Sequence, residues 1–433
     1  MFDYKIKRYS EMNYFEDLQR VGLMSENNSS ADIRLFTPLS LLNGEDFTVY
    51  SINGADRTQF KKDLNNDIVL VDILVIGRSL QSLEIAKTIV EKCKLNGVKI
   101  IFEIDDDLIN IDETHPHYYA LSKYVEIVKY LTINADGVAV STEYLKSKIL
   151  EYNSNVSVIH NVLTPDWDMD NTIRKNSKTF KIGYMGTITH KYDLTLVEEA
   201  MKNIYDYFSD KNMDFVFEVI GGSDEELDWA EQIEVPKEKS DYPSFVRWLQ
   251  DIVDWDLALA PIEDTPINMS KSNIKYLEYT GLNVPGVYSN IGPYKETIVH
   301  GKTGLLAENT VESWQENLIR LIEDKNLRED IIRNAREDVE TNYLMDDVVK
   351  SWIEILNNNK KNKDKNYYDS LNRNIISKID NLSRDVSKAQ RKNRNLKRNF
   401  NKQKKINKQL KSSTSWKITE PFRKTASIFK RDK

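Results

Sequence analysis

The chain has 433 residues, too many for one ordinary domain, and its 40% hydrophobic content suffices for packed cores. A single cysteine, Cys93, excludes an internal disulfide framework and fits a reducing compartment. The formal net charge of −7 is uneven: residues 358–433 carry 24 Lys and Arg against 6 Asp and Glu, a net of +18, leaving −25 for the rest.

The opening MFDYKIKRYSEMNYFEDLQ lacks the apolar core of a signal peptide, and no apolar run approaches the roughly 20 residues that span a bilayer. Apolar, β-branched runs at Phe47–Ile52, Val69–Ile76, Val98–Ile104, Gly137–Ser141 and Val156–His160 predict strands. Helical patterns at Ser82–Leu95, Tyr118–Asn134 and Thr142–Tyr152 separate them. Such near-continuous apolar strands alternating with helices imply a buried parallel sheet. Leu163-Thr-Pro-Asp-Trp-Asp and the polar stretch Asn171–Lys178 read as a linker.

A second alternation begins at Phe180, with strands expected at Phe180–Met185, Phe215–Ile220, Asp256–Ala260, Val284–Tyr288 and Gly304–Leu306. Helices are expected at Lys271–Thr280, Val311–Asp324, Asn326–Asn342 and Asp346–Leu356. The fold class is therefore α/β, with two doubly wound domains and ligands expected outside the carboxyl ends of their strands. The domain bounds expected are 1–170, 171–345, a helix over 346–357, and a basic tail over 358–433. In the tail a heptad register runs from Ile375 through Ile379, Leu382, Val386 and Ala389 to Leu410 in alternating steps of four and three. It predicts a coiled coil and a possible homo-oligomer. The basic excess, with Trp416, Phe422 and Phe429, predicts contact with an anionic membrane surface; no nucleic-acid motif accompanies it.

The most informative stretch is Asp254–Leu306. A strand, a polar loop with Pro261, Pro266 and Asn268, and a helix carrying Lys271, Lys275 and Glu278 follow one another. Lysines beside a helix N-terminus form an anion site, and a carboxylate three residues after Lys275 shares its face. That combination suits a nucleotide diphosphate-sugar. Lys275-Tyr-Leu-Glu278, Gly281-Leu-Asn-Val-Pro285, Gly292-Pro-Tyr294 and Gly301-Lys-Thr-Gly304 resemble, in order and spacing, the donor-binding half of retaining glycosyltransferases of family 4, which have the GT-B fold. The resemblance covers roughly residues 180–357 best and is closest to bacterial cell-surface polysaccharide transferases.

That resemblance implies two Rossmann-like domains facing a cleft, with the helix around Asp346–Leu356 crossing back to the first. It implies that Glu278 holds the donor ribose and that the helix start lies beneath the diphosphate. One departure is that Ser270 stands where the family has the first acid of its Glu-x7-Glu pattern. Upstream, Gly183-Tyr-Met-Gly186-Thr-Ile-Thr-His190-Lys191 follows a strand, as the family's Gly-rich turn does; a plain turn with solvent-facing His190 and Lys191 is the alternative. The donor set is thus Gly186, Thr187, His190, Lys191, Asn268, Lys271, Lys275, Glu278 and Tyr294. Asp107 and His115, with Lys275 and Glu278, form the candidate catalytic set.

Asp107 closes the run Glu103-Ile-Asp105-Asp-Asp107, where acceptor binding and simple turn capping are both open. His115 and His117 lack a third ligand, so no metal and no cofactor are expected. Arg34 reads as a cleft residue or a surface ion-pair member, and Tyr242-Pro-Ser-Phe-Val-Arg-Trp248 as aromatics of a packed core. The expected activity is a hexosyltransferase-type transfer, with retention and without metal, to a lipid-linked or polymeric glycan acceptor. It would occur in the cytoplasm, at the inner face of the cell membrane. A non-catalytic partner of the same fold and a nucleotide-sugar epimerase remain as alternatives.

Overall fold

A computed structural model describes residues 7–8, 18–26, 28–42, 46–52, 71–78, 80, 82–111, 113, 118–170, 178–187, 191–223 and 225–360, plus 384, 388, 392, 403 and 404. The last five are helical and exposed. The remaining heptad positions, the basic tail's aromatics, His115 and His190 lie outside the described residues.

The first half holds strands β1 (Lys7–Arg8), β2 (Gln19–Met24), β3 (Phe47–Ser51), β4 (Ile73–Gly77), β5 (Lys99–Ile104), β6 (Gly137–Val140) and β7 (Val156–Val158). They form one sheet in the order β1-β3-β2-β4-β5-β6-β7, with every pairing parallel. Helices α1 (Ser29–Ala31), α2 (Thr37–Ser40), α3 (Leu83–Asn96), α4 (Tyr118–Asn134) and α5 (Glu143–Ile149) connect them, and a π-helical turn at Asp32–Phe36 joins α1 to α2. Ser82 and Thr142 cap α3 and α5 by accepting from Ile85 N and Leu145 N.

The second half holds β8 (Phe180–Gly186), β9 (Phe215–Gly221), β10 (Glu231–Ile233), β11 (Leu257–Ala260), β12 (Gly286–Ser289) and β13 (Leu305–Ala307). Their order is β10-β9-β8-β11-β12-β13, again parallel throughout. Its helices are α6 (Lys191–Thr195), α7 (Glu198–Asp210), α8 (Tyr242–Ile252), α9 (Pro266–Ser270), α10 (Ile274–Gly281), α11 (Gly292–Thr297), α12 (Val311–Glu323), α13 (Lys325–Asn342) and α14 (Met345–Asn358).

Strand order reverses between β2 and β4 in the first sheet and between β8 and β11 in the second. Crevices at such switch points, at the carboxyl ends of the strands, are where doubly wound sheets hold ligands. The second switch point lies beside Gly186 and Thr187 after β8 and Pro261 after β11. α14 returns to the first half: Val348, Trp352, Ile355 and Leu356 pack with Val21, Leu35, Leu39 and Val49, and Trp352 Nε1 donates to Arg34 O at 3.1 Å.

Three strands went unread in the sequence, the two-residue β1 among them. β2 (QRVGLM) is buried at every position, yet its polar first residues hide it. β10 (EQI) is a polar edge strand. The expected Lys271–Thr280 helix starts three residues later, at Ile274, and the expected polar loop before it winds into the short helix α9, which Lys271 ends in an extended conformation. The break has a physical cause. Ser270 and Ser272 are hydrogen-bonded to the first half, which pulls the chain out of helical geometry between them.

Candidate active site

α10 starts without a side-chain cap, because Asn273 turns its amide to Tyr343 OH at 2.9 Å instead. Its first N–H groups thus carry the helix dipole's positive end without a neutralising side chain. Lys275, in the first turn, is 7% exposed. Its ammonium lies 5.1 Å from the ring centroid of Tyr184 on β8. Burial lowers its pKa to about 8, with Lys271 adding to the fall; Asp193 and Glu278 oppose it. Asp193 is itself buried and accepts from Glu263 N at 3.0 Å, which ties the chain after β11 to α6.

One turn along the same face stands Glu278, partly exposed. Burial raises its carboxyl to about 7, against the hydrogen bond from Tyr242 and the charge of Lys275. Tyr242 OH donates to Glu278 Oε1 at 3.1 Å. Gly186 ends β8 where no side chain has room: a Cβ there would sit 2.7 Å from Tyr184 OH. Its carbonyl accepts from Gly222 N at 2.8 Å, and Gly221 and Gly222 both have positive φ, so the loops after β8 and β9 meet through backbone alone. Thr187 is exposed at the same strand end, and Lys271 is half-buried just ahead of α10.

Other expected site residues have structural work. Asn268 is buried and its amide donates to Glu263 O at 3.1 Å, shaping the loop before α10. Tyr294 is buried with its ring 5.2 Å from that of Tyr288, inside a tyrosine cluster. Asp107 is 1% exposed; its oxygens accept from Asn110 N and Nδ2 at 3.0–3.1 Å. The turn-capping alternative therefore describes Asp107, not an acid open to the cleft. Arg34 is neither a cleft nor a surface residue: it is buried in an ion pair with Glu103, and its Nη1 donates to Ile159 O and Asn161 Oδ1. Lys191 begins α6.

The two sheets meet close to this site. Asp107 N donates to Ser270 Oγ at 2.9 Å, Thr142 Oγ1 to Ser270 O at 3.1 Å, and Asn161 Nδ2 to Ser272 Oγ at 2.7 Å. Ser270 has no exposed surface. Tyr242, Trp167, Tyr184 and Asp193 lie around Lys275 and Glu278, and sequence reasoning did not place them there. Only the helical spacing of Tyr242 was visible, and it pointed to a core. Among the described residues no group of three or more His, Cys, Asp or Glu is arranged to hold a metal ion.

Residues 273–338, which contain Lys275 and Glu278, match the glycosyl transferases group 1 family. A glycosyltransferase from Rickettsia africae superposes over 79% of this chain and 99% of its own, at 15% identity and a TM-score of 0.54. HepE of Anabaena, solved with UDP-glucose, does so over 78% and 99%, at 12% identity and 0.54. The fold is GT-B. TarM is a longer protein, of which the chain spans 54% while 66% of the chain is covered, at 16% identity and a TM-score of 0.48. No curated protein sequence matches the chain. The stretch that matches glycosyl transferases group 1 thus begins with α10 and runs on into α13.

Proposed function

We propose that this protein is a glycosyltransferase that moves a sugar from a nucleotide diphosphate-sugar to a hydroxyl of a lipid-linked or polymeric cell-surface glycan, with retention of configuration. The observation that carries the reading is the placement of Lys275 and Glu278 on one face of α10, beside the switch point of the second sheet, within the segment that matches glycosyl transferases group 1. Lys275, Lys271 and the uncapped N–H groups of α10 neutralise the departing diphosphate as the bond to the sugar breaks. Glu278 accepts from the ribose hydroxyls and fixes the nucleotide. An oxocarbenium-like transition state then needs no bound metal, because the leaving charge meets fixed positive groups. HepE binds UDP-glucose on the same fold, which makes UDP-sugars the first donors to test.

The acceptor side lies at the carboxyl ends of the first sheet. There Arg78 is paired with Asp105 at 2.7 Å and with Asp106, and both acids precede the buried Asp107. No helix among the described residues is long and apolar enough to cross a membrane. Contact with a lipid-linked acceptor would come from the Lys- and Arg-rich tail, whose charge suits an anionic membrane surface. The test is release of UDP or GDP from nucleotide sugars by the purified chain, with and without membrane lipids from a glycan-producing cell. NMR of the new anomeric proton reads out retention. Binding of the donor with no turnover in any acceptor mixture would favour a non-catalytic partner. Turnover independent of acceptor, with a changed sugar on the nucleotide, would favour an epimerase.

A further inference from the structure

Lys275 and Glu278 carry opposite charges three residues apart on one helix face, an arrangement that ordinarily closes into an ion pair. Here it does not, and the described ion pairs include neither residue. Glu278 is drawn the other way, toward Tyr242, whose hydroxyl donates to Oε1 at 3.1 Å.

Tyr242 is itself held by a donor that can only donate: Trp167 Nε1 lies 3.2 Å from the Tyr242 hydroxyl. The indole N–H occupies a lone pair of that oxygen, so its single proton goes to Glu278. Both partners are fixed in turn. Tyr242 is 2% exposed and opens α8, and its backbone N–H bonds to Asp32 of the first half. The segment around Trp167 is stapled to α8 three times: Asp168 N to Gln250 Oε1 at 3.2 Å, Gln250 Nε2 to Asp168 O at 2.8 Å, and Arg247 to Asp166 at 2.9 Å. The indole also presses on α10 itself. A Cβ on Gly281 would come within 2.6 Å of the Trp167 ring, so only glycine lets the indole approach that helix so closely.

We propose that Tyr242, held by Trp167, is a positioning residue for the donor: it keeps Glu278 off Lys275 and turns the second carboxylate oxygen toward the ribose diol. The inference rests on the reading above, that Glu278 holds the ribose. Without the tyrosine hydroxyl, Glu278 swings onto Lys275, and each group quenches the other. The residue touches neither the sugar nor the reacting bond.

The experiment uses the full chain and isothermal titration with UDP, GDP and ADP, then the tightest of these against its 2′,3′-dideoxy analogue. Wild type is expected to favour the ribose form, and Glu278→Ala to abolish that preference. Tyr242→Phe is expected to lose about ten- to hundredfold in affinity for the ribose form, the effect of one hydrogen bond to a charged group, with the dideoxy affinity unchanged. Trp167→Phe should shift the same ratio in the same direction, by less, and serves if the tyrosine variant does not fold. Equal weakening of both probes marks a merely structural tyrosine and overturns the proposal, as does an unchanged preference. A preference that survives Glu278→Ala overturns the ribose reading instead. Absence of wild-type binding to all three diphosphates overturns the nucleotide reading and the proposal with it.

Discussion

Replacing Lys275 by Met should make the protein more stable and less able to bind its donor. Lys275 is 7% exposed and its pKa falls from 10.5 to about 8 in the fold. A base whose folded pKa is lowered is held in its charged form against its preference. Between about pH 8 and 10.5 the unfolded chain binds the extra proton and the folded one does not. Stability therefore carries the whole penalty below pH 8 and regains it as pH rises toward 10.5. A fall of 2.5 units corresponds to about 3 kcal/mol at 1.36 kcal/mol per unit.

Methionine has similar length and no charge, and it keeps contact with the Tyr184 ring. It also leaves Asp193 without the nearby cation, which takes back part of the gain. The net expected at pH 7 is about 1–2 kcal/mol, or about 1–3 °C in the melting temperature for a unit of this size. UDP affinity should fall by about 10²-fold, the loss of a charged donor to phosphate, and kcat/KM by about 10²–10³. The assay is thermal unfolding at pH 7, 8.5 and 10, together with UDP titration at pH 7. The stability difference should shrink toward pH 10 as the wild-type lysine loses its proton. A Met variant that melts below wild type at pH 7, or one that binds UDP as wild type does, would refute the account of a buried cation kept for a diphosphate.

Glu278 has the opposite sign: burial raises its carboxyl to about 7, so the ribose preference should fade as pH drops from 8 to 6, read as the ratio of UDP to dideoxy-UDP affinity. Transfer should survive EDTA, since Lys271, Lys275 and the start of α10 supply the positive charge; loss restored only by Mg²⁺ or Mn²⁺ would move the diphosphate to a metal held by other acids. Deleting residues 361–433 should leave UDP binding intact while lowering the solution mass and ending binding to anionic vesicles at low salt; unchanged mass and vesicle binding would remove both roles from the tail.

What the sequence made readable is what repeats along the chain. The apolar runs at 98–104, 215–220 and 256–260 announce buried parallel strands, and the spacing of Lys275 and Glu278 announces that they share one helix face. What it concealed are partnerships across long separations. Arg34 and Glu103, 69 residues apart, pair in the interior, and nothing local distinguishes that arginine from a surface one. Tyr242 and Glu278 are 36 apart, and Trp167 lies 75 before Tyr242 in what reads as a linker. Each of these residues has a common core or surface use, so composition favours the common use. β2 was missed for a related reason: its strand begins in a polar context, and only burial on both faces reveals it.

Ser270 illustrates how the fold itself decides a residue type. It stands where the resembled family has an acid, and in this chain it joins the two sheets through Asp107 N and Thr142 Oγ1, while its hydroxyl donates locally to Ile267 O. The site is fully buried, and the partner strand end already carries Asp105, Asp106 and Asp107, with Arg78 balancing only the first two. A carboxylate at position 270 would bring a further negative charge, stripped of water, against that group, and such a charge is tolerated only with a cation or several donors in reach. The donor that reaches this side chain, Asp107 N, fits a neutral hydroxyl, whereas the Thr142 hydroxyl is engaged by the Ser270 backbone carbonyl. The start of the following helix is thereby fixed relative to the first sheet by uncharged hydrogen bonds, and under the proposed reading no acid at position 270 competes with a donor diphosphate for the charge of Lys275.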